Sequence, residues 1–266
     1  MPTKIEWCEE TWNPCVGCTK CSPGCEHCYA ERMAYRLFCM GNKKYENVVN
    51  GITTSTQHRS NWSGQIYCDS ESLDQPLHWR KPRRIFVCSM SDLFHEKVPF
   101  EFIDDVFERV WDCPQHTFLV LTKRLQRAKE FYSIATEYHR IPKGNLWLGV
   151  SISTQKEADE KIPILLEIPA AVRFISFEPL LESIPKFDYY INNYTTGHLE
   201  SQIHWVIVGC ESGPKRRPCK LEWIRDIAKQ CKNAGVACFV KQIPINGKVN
   251  HNPAEWPRDL RIRNYP

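Results

Sequence analysis

A cluster of cysteines near the start of the chain carries the clearest chemical signal in the sequence. Its members are Cys15, Cys18, Cys21, Cys25 and Cys28. Gly and Pro residues lie between them, so we expect residues 15–28, which we call the cysteine loop, to be irregular. From Cys28 the apolar residues follow a helical spacing up to about residue 40. Thiolates bind soft metals, and a cysteine-rich loop that leads into a helix therefore predicts a metal centre.

Two kinds of metal centre fit these cysteines. Structural zinc sites usually take four protein ligands, often as two separated C-x2-C pairs, and Cys25 and Cys28 form one such pair. The residues that could complete a zinc site are Cys15, Cys18, Cys21 and His27. A [4Fe–4S] cluster held by three cysteines instead leaves one iron open for a substrate or cofactor. A thiol oxidoreductase is disfavoured, because such enzymes place their cysteine pair in a small thioredoxin-like unit.

A second set of candidate residues follows the apolar segments of the chain. From residue 83 onward, strand-like and helix-like segments alternate, and the strands are continuously apolar, which is typical of parallel strands buried on both faces. The carboxyl ends of parallel strands in a barrel meet at one rim, where active sites lie. The polar residues at these ends are Ser89, Ser91, Asp92, Thr122, Lys123, Arg124, Ser151, Ser153, Ser176, Glu178, Glu211, Ser212, Lys241 and Gln242. Glu178 and Glu211 are the strongest candidates, because an unpaired carboxylate after an apolar run is costly.

The alternating pattern predicts an α/β fold over residues 1–266 as a single domain. We expect a parallel (β/α) barrel or partial barrel, since several such units follow one another. The expected strands are 84–92, 117–123, 145–151, 172–179, 204–213 and 236–242. Residues 41–80 are rich in Asn, Ser, Thr and Gly, so they are predicted to form an irregular insertion on the surface.

The composition excludes several classes of protein. The chain is 42% hydrophobic and 25% charged, as expected for a soluble globular protein. The first residues are polar and no apolar run approaches a membrane span, so we expect a cytoplasmic protein without a membrane partner. Cysteines outside the loop are expected to be small buried residues: Cys68, Cys88, Cys113, Cys210, Cys219, Cys231 and Cys238. The net charge of +4 is compatible with nucleic-acid binding but does not establish it.

The cysteine loop resembles that of radical S-adenosylmethionine enzymes. Its segment Cys21-x3-Cys25-x2-Cys28 has the ligand spacing found in those enzymes. A closer resemblance, to the phage-associated three-cysteine-motif family, covers almost the whole chain. The segments that carry it are 11–14, 17–20, 22–25, 28–31, 89–95, 121–124, 147–151, 177–181 and 211–213. The usual pattern of that family is C-x6-C-x2-C, which corresponds here to Cys18, Cys25 and Cys28. The family has an aliphatic residue at the position of Cys21. Two triads therefore compete, and we favour Cys18 as the third ligand beside Cys25 and Cys28.

The resemblance implies a barrel of the radical S-adenosylmethionine type, a [4Fe–4S] cluster, S-adenosylmethionine as the cofactor, and a flavodoxin- or ferredoxin-like electron donor. Cleavage of the cofactor would yield a 5′-deoxyadenosyl radical, with a nucleobase or nucleotide as the expected substrate. The alternative is a zinc-stabilised, non-catalytic nucleic-acid-binding protein. The residues implied to bind the cofactor are Ser89, Ser91, Asp92, Lys123, Ser151 and Glu178. The residues implied in catalysis are Glu178, Glu211 and Lys241. The family usually has two glycines where this chain has Gly209 and Cys210.

Overall fold

The structure is a computed structural model that describes residues 3, 5–53, 58–137, 144–193 and 202–266. The chain divides into two compact units, Met1–Leu146 and Trp147–Pro266. That these units form the single domain expected from the sequence stays a prediction. Among the described residues, the structure contains no helix with both the length and the apolar composition that a membrane crossing requires.

The first unit contains a parallel sheet, short antiparallel pairs and helices. Its elements are β1 (Glu10–Trp12), β2 (Cys15–Val16), α1 (Tyr29–Cys39), β3 (Val49–Thr53), β4 (His58–Trp62), β5 (Tyr67–Cys68), β6 (Arg84–Val87), α2 (Phe100–Asp112), β7 (Thr117–Thr122) and α3 (Leu125–Glu137). Strands β1, β6 and β7 are parallel in that order, whereas β2 pairs with β5 and β3 with β4 in antiparallel fashion. Helix α2 buries Phe102, Val106 and Val110, whose spacing places them on one helical face.

The second unit continues the alternation of strands and helices. Its elements are β8 (Leu146–Ser151), α4 (Gln155–Glu167), β9 (Val172–Phe177), α5 (Phe187–Asn193), β10 (Trp205–Gly209), α6 (Leu221–Asn233), β11 (Ala237–Ile245) and β12 (Lys248–Asn250). Strands β8, β9, β10 and β11 are parallel neighbours in chain order, and β12 adds to β11 as an antiparallel hairpin. Every residue of β10 is buried, which explains why its sequence is apolar without alternation.

The predicted α/β class, with parallel strands joined by helices, is confirmed within each unit. The observed strands lie inside or close to the expected ranges, and helix α1 follows the cysteine loop as expected. In the described residues, neither the sheet of the first unit nor that of the second closes on itself. Barrel geometry of the radical S-adenosylmethionine type therefore stays a proposal.

The prediction of an irregular segment at residues 41–80 is wrong in part. Strands β3 and β4 form a hairpin there, although residues 54–57 between them lie outside the described residues. The hairpin forms because Val49 joins a buried cluster with Ala34 of α1, while Trp62 packs against it. Gly51 is required for this contact, since a Cβ atom there would lie 1.8 Å from the ring of Tyr35. The sequence also failed to predict α5 and β12.

Candidate metal centre and strand-end residues

The cysteine loop is attached to the segment that follows β6. The backbone N–H of Gly17 donates to the carbonyl oxygen of Met90 at 3.1 Å, and its carbonyl accepts from Ser91 Oγ at 2.6 Å. Gly17 has a φ of 97°, and a Cβ there would lie 2.3 Å from the carbonyl oxygen of Gln65. Only glycine fits such a position without strain, so the start of the loop depends on this residue.

The four cysteines of the two competing triads differ in exposure. Cys18, Cys25 and Cys28 are half-buried, whereas Cys21 is exposed, and all fourteen cysteines of the chain are free thiols. Cys28 lies immediately before α1, and the turn at residues 23–25 is capped by Ser22 Oγ, which accepts from the N–H of Gly24. No group of three or more His, Cys, Asp or Glu side chains in the described ranges already stands in a metal-binding arrangement.

The protonation of these thiols depends on their surroundings. The pKa of Cys25 is lowered to about 5, chiefly because the Cys21 thiol hydrogen-bonds to its sulfur, with a further contribution from the ammonium of Lys123. Burial, and then the carboxylate of Asp92, raise the pKa of Cys18 to about 12. Burial also raises the pKa of Cys28. Cys25 is thus a thiolate at neutral pH, while Cys18 and Cys28 would release protons on binding a metal.

The predicted cofactor residues of the first unit bond to the protein itself. Ser89 Oγ donates to Asn13 Oδ1 at 3.1 Å, and Ser91 Oγ donates to the cysteine loop at Gly17. The carboxylate of Asp92 accepts from Thr122 Oγ1 at 2.7 Å and from the N–H groups of Phe94 and Lys123 at 3.0 Å each. These contacts make Ser91 and Asp92 supports of the loop and of the β7 end; contact with a cofactor stays a prediction.

Three of the predicted residues of the second unit lie together. Lys241 Nζ and Glu178 Oε1 form an ion pair of 3.0 Å, with side-chain exposures of 22% and 14%. Ser151 Oγ donates to the carbonyl oxygen of Glu178 at 3.2 Å, and Ser176 Oγ donates to Glu178 Oε2 at 3.3 Å. Ser151 ends β8 and Glu178 follows the neighbouring β9, whereas Lys241 lies within β11, which β10 separates from β9.

Gly209 supplies the space beside this ion pair. A Cβ at Gly209 would lie 2.9 Å from both Glu178 Oε1 and Gln242 Oε1. Gln242 is buried, its Nε2 donates to the carbonyl oxygen of Cys210 at 2.7 Å, and its Oε1 has no hydrogen-bond partner in the described part of the chain. Burial raises the pKa of Cys210 to about 11, so that thiol stays neutral.

Glu211 has a different environment from Glu178. Its carboxylate pairs with the guanidinium of Arg217 and accepts from the N–H of Arg217 at 2.7 Å. Glu211 thereby fixes the segment that follows β10. The sequence did not predict Arg217 as its partner, since nothing in the local pattern indicates which of the neighbouring basic residues pairs with Glu211.

The expected burial of the remaining cysteines is largely confirmed. Cys88, Cys113, Cys210, Cys231 and Cys238 are buried. Cys68 and Cys219 are half-buried instead, because they lie on short or exposed segments.

The comparisons with known proteins give a family without an assigned activity. No curated protein and no solved structure matches the chain. A family model described as "Protein of unknown function (DUF5131)" matches residues 2–257, nearly the whole chain. The chain therefore belongs to the DUF5131 family.

Proposed function

We propose that the protein is a radical S-adenosylmethionine enzyme whose [4Fe–4S] cluster is held by Cys18, Cys25 and Cys28. One observation carries the proposal: three half-buried thiols lie on one short loop, which Gly17 attaches to the segment after β6 by hydrogen bonds with Met90 and Ser91. The donor set consists of soft sulfur atoms, which suits an iron–sulfur cluster and not a hard cation. When bound, the cluster would supply the electron that cleaves S-adenosylmethionine to a 5′-deoxyadenosyl radical.

The residues of the chain have separate tasks in this proposal. Cys25 is already a thiolate at neutral pH, so it is suited to take up iron first. Ser91 and Asp92 support the loop. The proposed contacts of S-adenosylmethionine remain Ser89, Ser91, Asp92, Lys123, Ser151 and Glu178. The proposed catalytic residues are Glu178, Glu211 and Lys241. The partial barrel of the radical S-adenosylmethionine type is part of the same proposal.

A zinc-stabilised nucleic-acid-binding protein is the second candidate. It is favoured by Cys21, whose thiol hydrogen-bonds to Cys25 and provides a fourth sulfur in the loop. Cys18 and Cys21 also have the C-x2-C spacing, as do Cys25 and Cys28, although the two pairs lie closer together than in most zinc sites. This candidate predicts a colourless protein with one zinc ion.

The decisive experiment is anaerobic purification followed by reconstitution with iron and sulfide. The enzyme proposal predicts a brown protein with about four irons per chain. Reduction with dithionite in the presence of S-adenosylmethionine should then release 5′-deoxyadenosine, measured by chromatography. Cys39→Ala, which alters an exposed cysteine outside the loop, is the matched control and should behave as wild type. A fully loaded protein that releases no 5′-deoxyadenosine would refute the proposal.

We also propose a nucleobase or nucleotide substrate, a flavodoxin- or ferredoxin-like electron donor and a cytoplasmic setting. Exposed Lys215 and Arg216 follow β10, and Lys220 lies 5.6 Å from the ring of Trp223, a combination suited to phosphates and bases. Fluorescence anisotropy with a labelled single-stranded oligonucleotide should show binding that weakens as salt increases. Absence of binding at low salt would count against a nucleic-acid substrate. Fourteen cysteines in a chain of this length fit a reducing compartment better than a short disulfide-rich scaffold.

A further inference from the structure

The geometry points to Arg124 as a positioning residue that holds Cys18 in place and donates a hydrogen bond to its sulfur. The inference rests on the proposed cluster, and it names a residue outside the proposed ligand and cofactor contacts. It also gives a physical reason why Cys18, and not Cys21, completes the ligand set.

The guanidinium of Arg124 reaches the cysteine loop directly. Its Nη2 donates to the carbonyl oxygen of Thr19 at 3.0 Å and to Thr19 Oγ1 at 2.8 Å. Its Nη1 donates to Cys18 Sγ at 3.8 Å, within the range of an N–H···S hydrogen bond. The side chain of Arg124 is only 10% exposed, so these contacts are largely shielded from water. No comparable contact to Cys21, which is exposed, is found among the described hydrogen bonds.

Two carboxylates orient the guanidinium from the other side. Arg124 Nη1 also donates to Asp92 Oδ2 at 3.2 Å, and Nε donates to Glu96 Oε2 at 3.0 Å. The arginine fork is planar and its donors have fixed directions, so pairing with these carboxylates aims the remaining N–H groups at the loop. A lysine has a single flexible ammonium and could not make the same set of bonds.

A further hydrogen-bond chain holds Thr19. The N–H of Lys97 donates to His95 Nδ1 at 3.2 Å, so that nitrogen is an acceptor and Nε2 carries the proton. Nε2 therefore donates to Thr19 Oγ1 at 2.9 Å, and the Thr19 hydroxyl donates to Glu96 Oε1 at 3.3 Å. His95 is fully buried. Each polar group around Thr19 thus has a defined direction, which leaves the backbone beside Cys18 little freedom.

Two consequences separate this role from general stabilisation. A hydrogen bond to a cluster sulfur stabilises the reduced cluster, so loss of Arg124 should make the midpoint potential more negative. Loss of the contacts should also make the backbone beside Cys18 more mobile in the metal-free protein.

The test compares Arg124→Gln and Arg124→Lys with Arg127→Gln in the full chain. Arg127 is the matched control, because its guanidinium bonds the carbonyl oxygen of Val98 and packs on Phe100. In the metal-free, reduced protein, deuterium exchange of the backbone amides of the cysteine loop, followed by peptide mass spectrometry, should be about tenfold faster in Arg124→Gln, as expected for the loss of a charge-assisted bond that holds the loop. Arg127→Gln should match wild type, and Arg124→Lys should lie between them.

The reconstituted proteins supply the second readout. Arg124→Gln should bind less iron, and its remaining cluster should show a more negative midpoint potential and an altered electron paramagnetic resonance spectrum. If circular dichroism shows that Arg124→Gln is not folded, both measurements are made on Arg124→Lys. Wild-type amide exchange and wild-type potential in the Arg124 variants would overturn the inference. A wild-type protein that takes up no cluster would refute the proposed function, while the amide-exchange measurement would still decide the role of Arg124.

Discussion

The carboxylate of Asp92 offers the sharpest test of how the loop is supported. It is buried, with 6% exposure, and it accepts hydrogen bonds from four donors on two segments of the chain. The donors are the N–H groups of Phe94 and Lys123, Thr122 Oγ1 and Arg124 Nη1. Asp92→Asn keeps the shape of the side chain and replaces one acceptor oxygen by an NH2 group.

The expected loss follows from these contacts. In the variant, the remaining oxygen can still accept from Phe94 and Thr122, but the NH2 group faces the two donors of Lys123 and Arg124. Removing one partner of a buried ion pair costs about 3–5 kcal/mol. Glu96 still pairs with Arg124, so we expect the lower end, about 3 kcal/mol of unfolding free energy. For a protein of this size that lowers Tm by about 6–12 °C.

Thermal and urea unfolding of the metal-free protein, followed by circular dichroism, would measure this loss. Asp105→Asn makes the same chemical change at an exposed position of α2 and should alter stability by less than about 0.5 kcal/mol. A loss below about 1 kcal/mol in Asp92→Asn would show that water or rearranged side chains satisfy the four donors, and the supporting role would be wrong.

Three further predictions concern single positions. Gly17→Ala should lower the free energy of unfolding, measured in urea, by about 2 kcal/mol or more. Gly41 also has a positive φ, but a Cβ there would have no atom within 4 Å, so Gly41→Ala should lower it less. Equal losses would mean that the contact with Gln65 is unimportant. Iodoacetamide should alkylate Cys25 at its full rate at pH 7, because the Cys25 thiolate persists down to its lowered pKa. Below about pH 5 the rate should fall tenfold per pH unit. A rate that rises towards pH 9 would contradict this prediction. A double-mutant cycle of Glu178→Gln and Lys241→Met should give a coupling of about 1–3 kcal/mol, and a coupling near zero would show that the ion pair is not formed in solution.

Much of the fold could be predicted from local sequence patterns. Strands such as β10 are buried on both faces, so their sequences are apolar throughout and stand out from the helices. The hairpin of β3 and β4 could not be predicted in this way. It depends on Gly51 fitting against Tyr35 of α1, a contact between segments whose own sequences resemble a polar loop.

The candidate site was predictable to a similar extent. Ligand candidates such as Cys25 and Cys28 are recognisable because metal-binding spacing is local, and Glu178 and Lys241 were selected as residues at strand ends. Asp92 was expected to contact a cofactor, which stays a prediction, and the structure adds its hydrogen bonds to the end of β7. Its role could not be read from the sequence, because a polar residue at a strand end can face either solvent or a neighbouring strand end.

The sequence by itself determined where the parallel strands lie and which loop carries the clustered cysteines, since both depend on residue types at short spacing. Only the tertiary structure decided which side chains hold that loop. The bond from Arg124 to Cys18 joins residues 106 positions apart, and it forms because β6 and β7 are neighbours in the sheet. Long-range polar contacts of this kind depend on strand order and side-chain direction, which a local pattern does not contain.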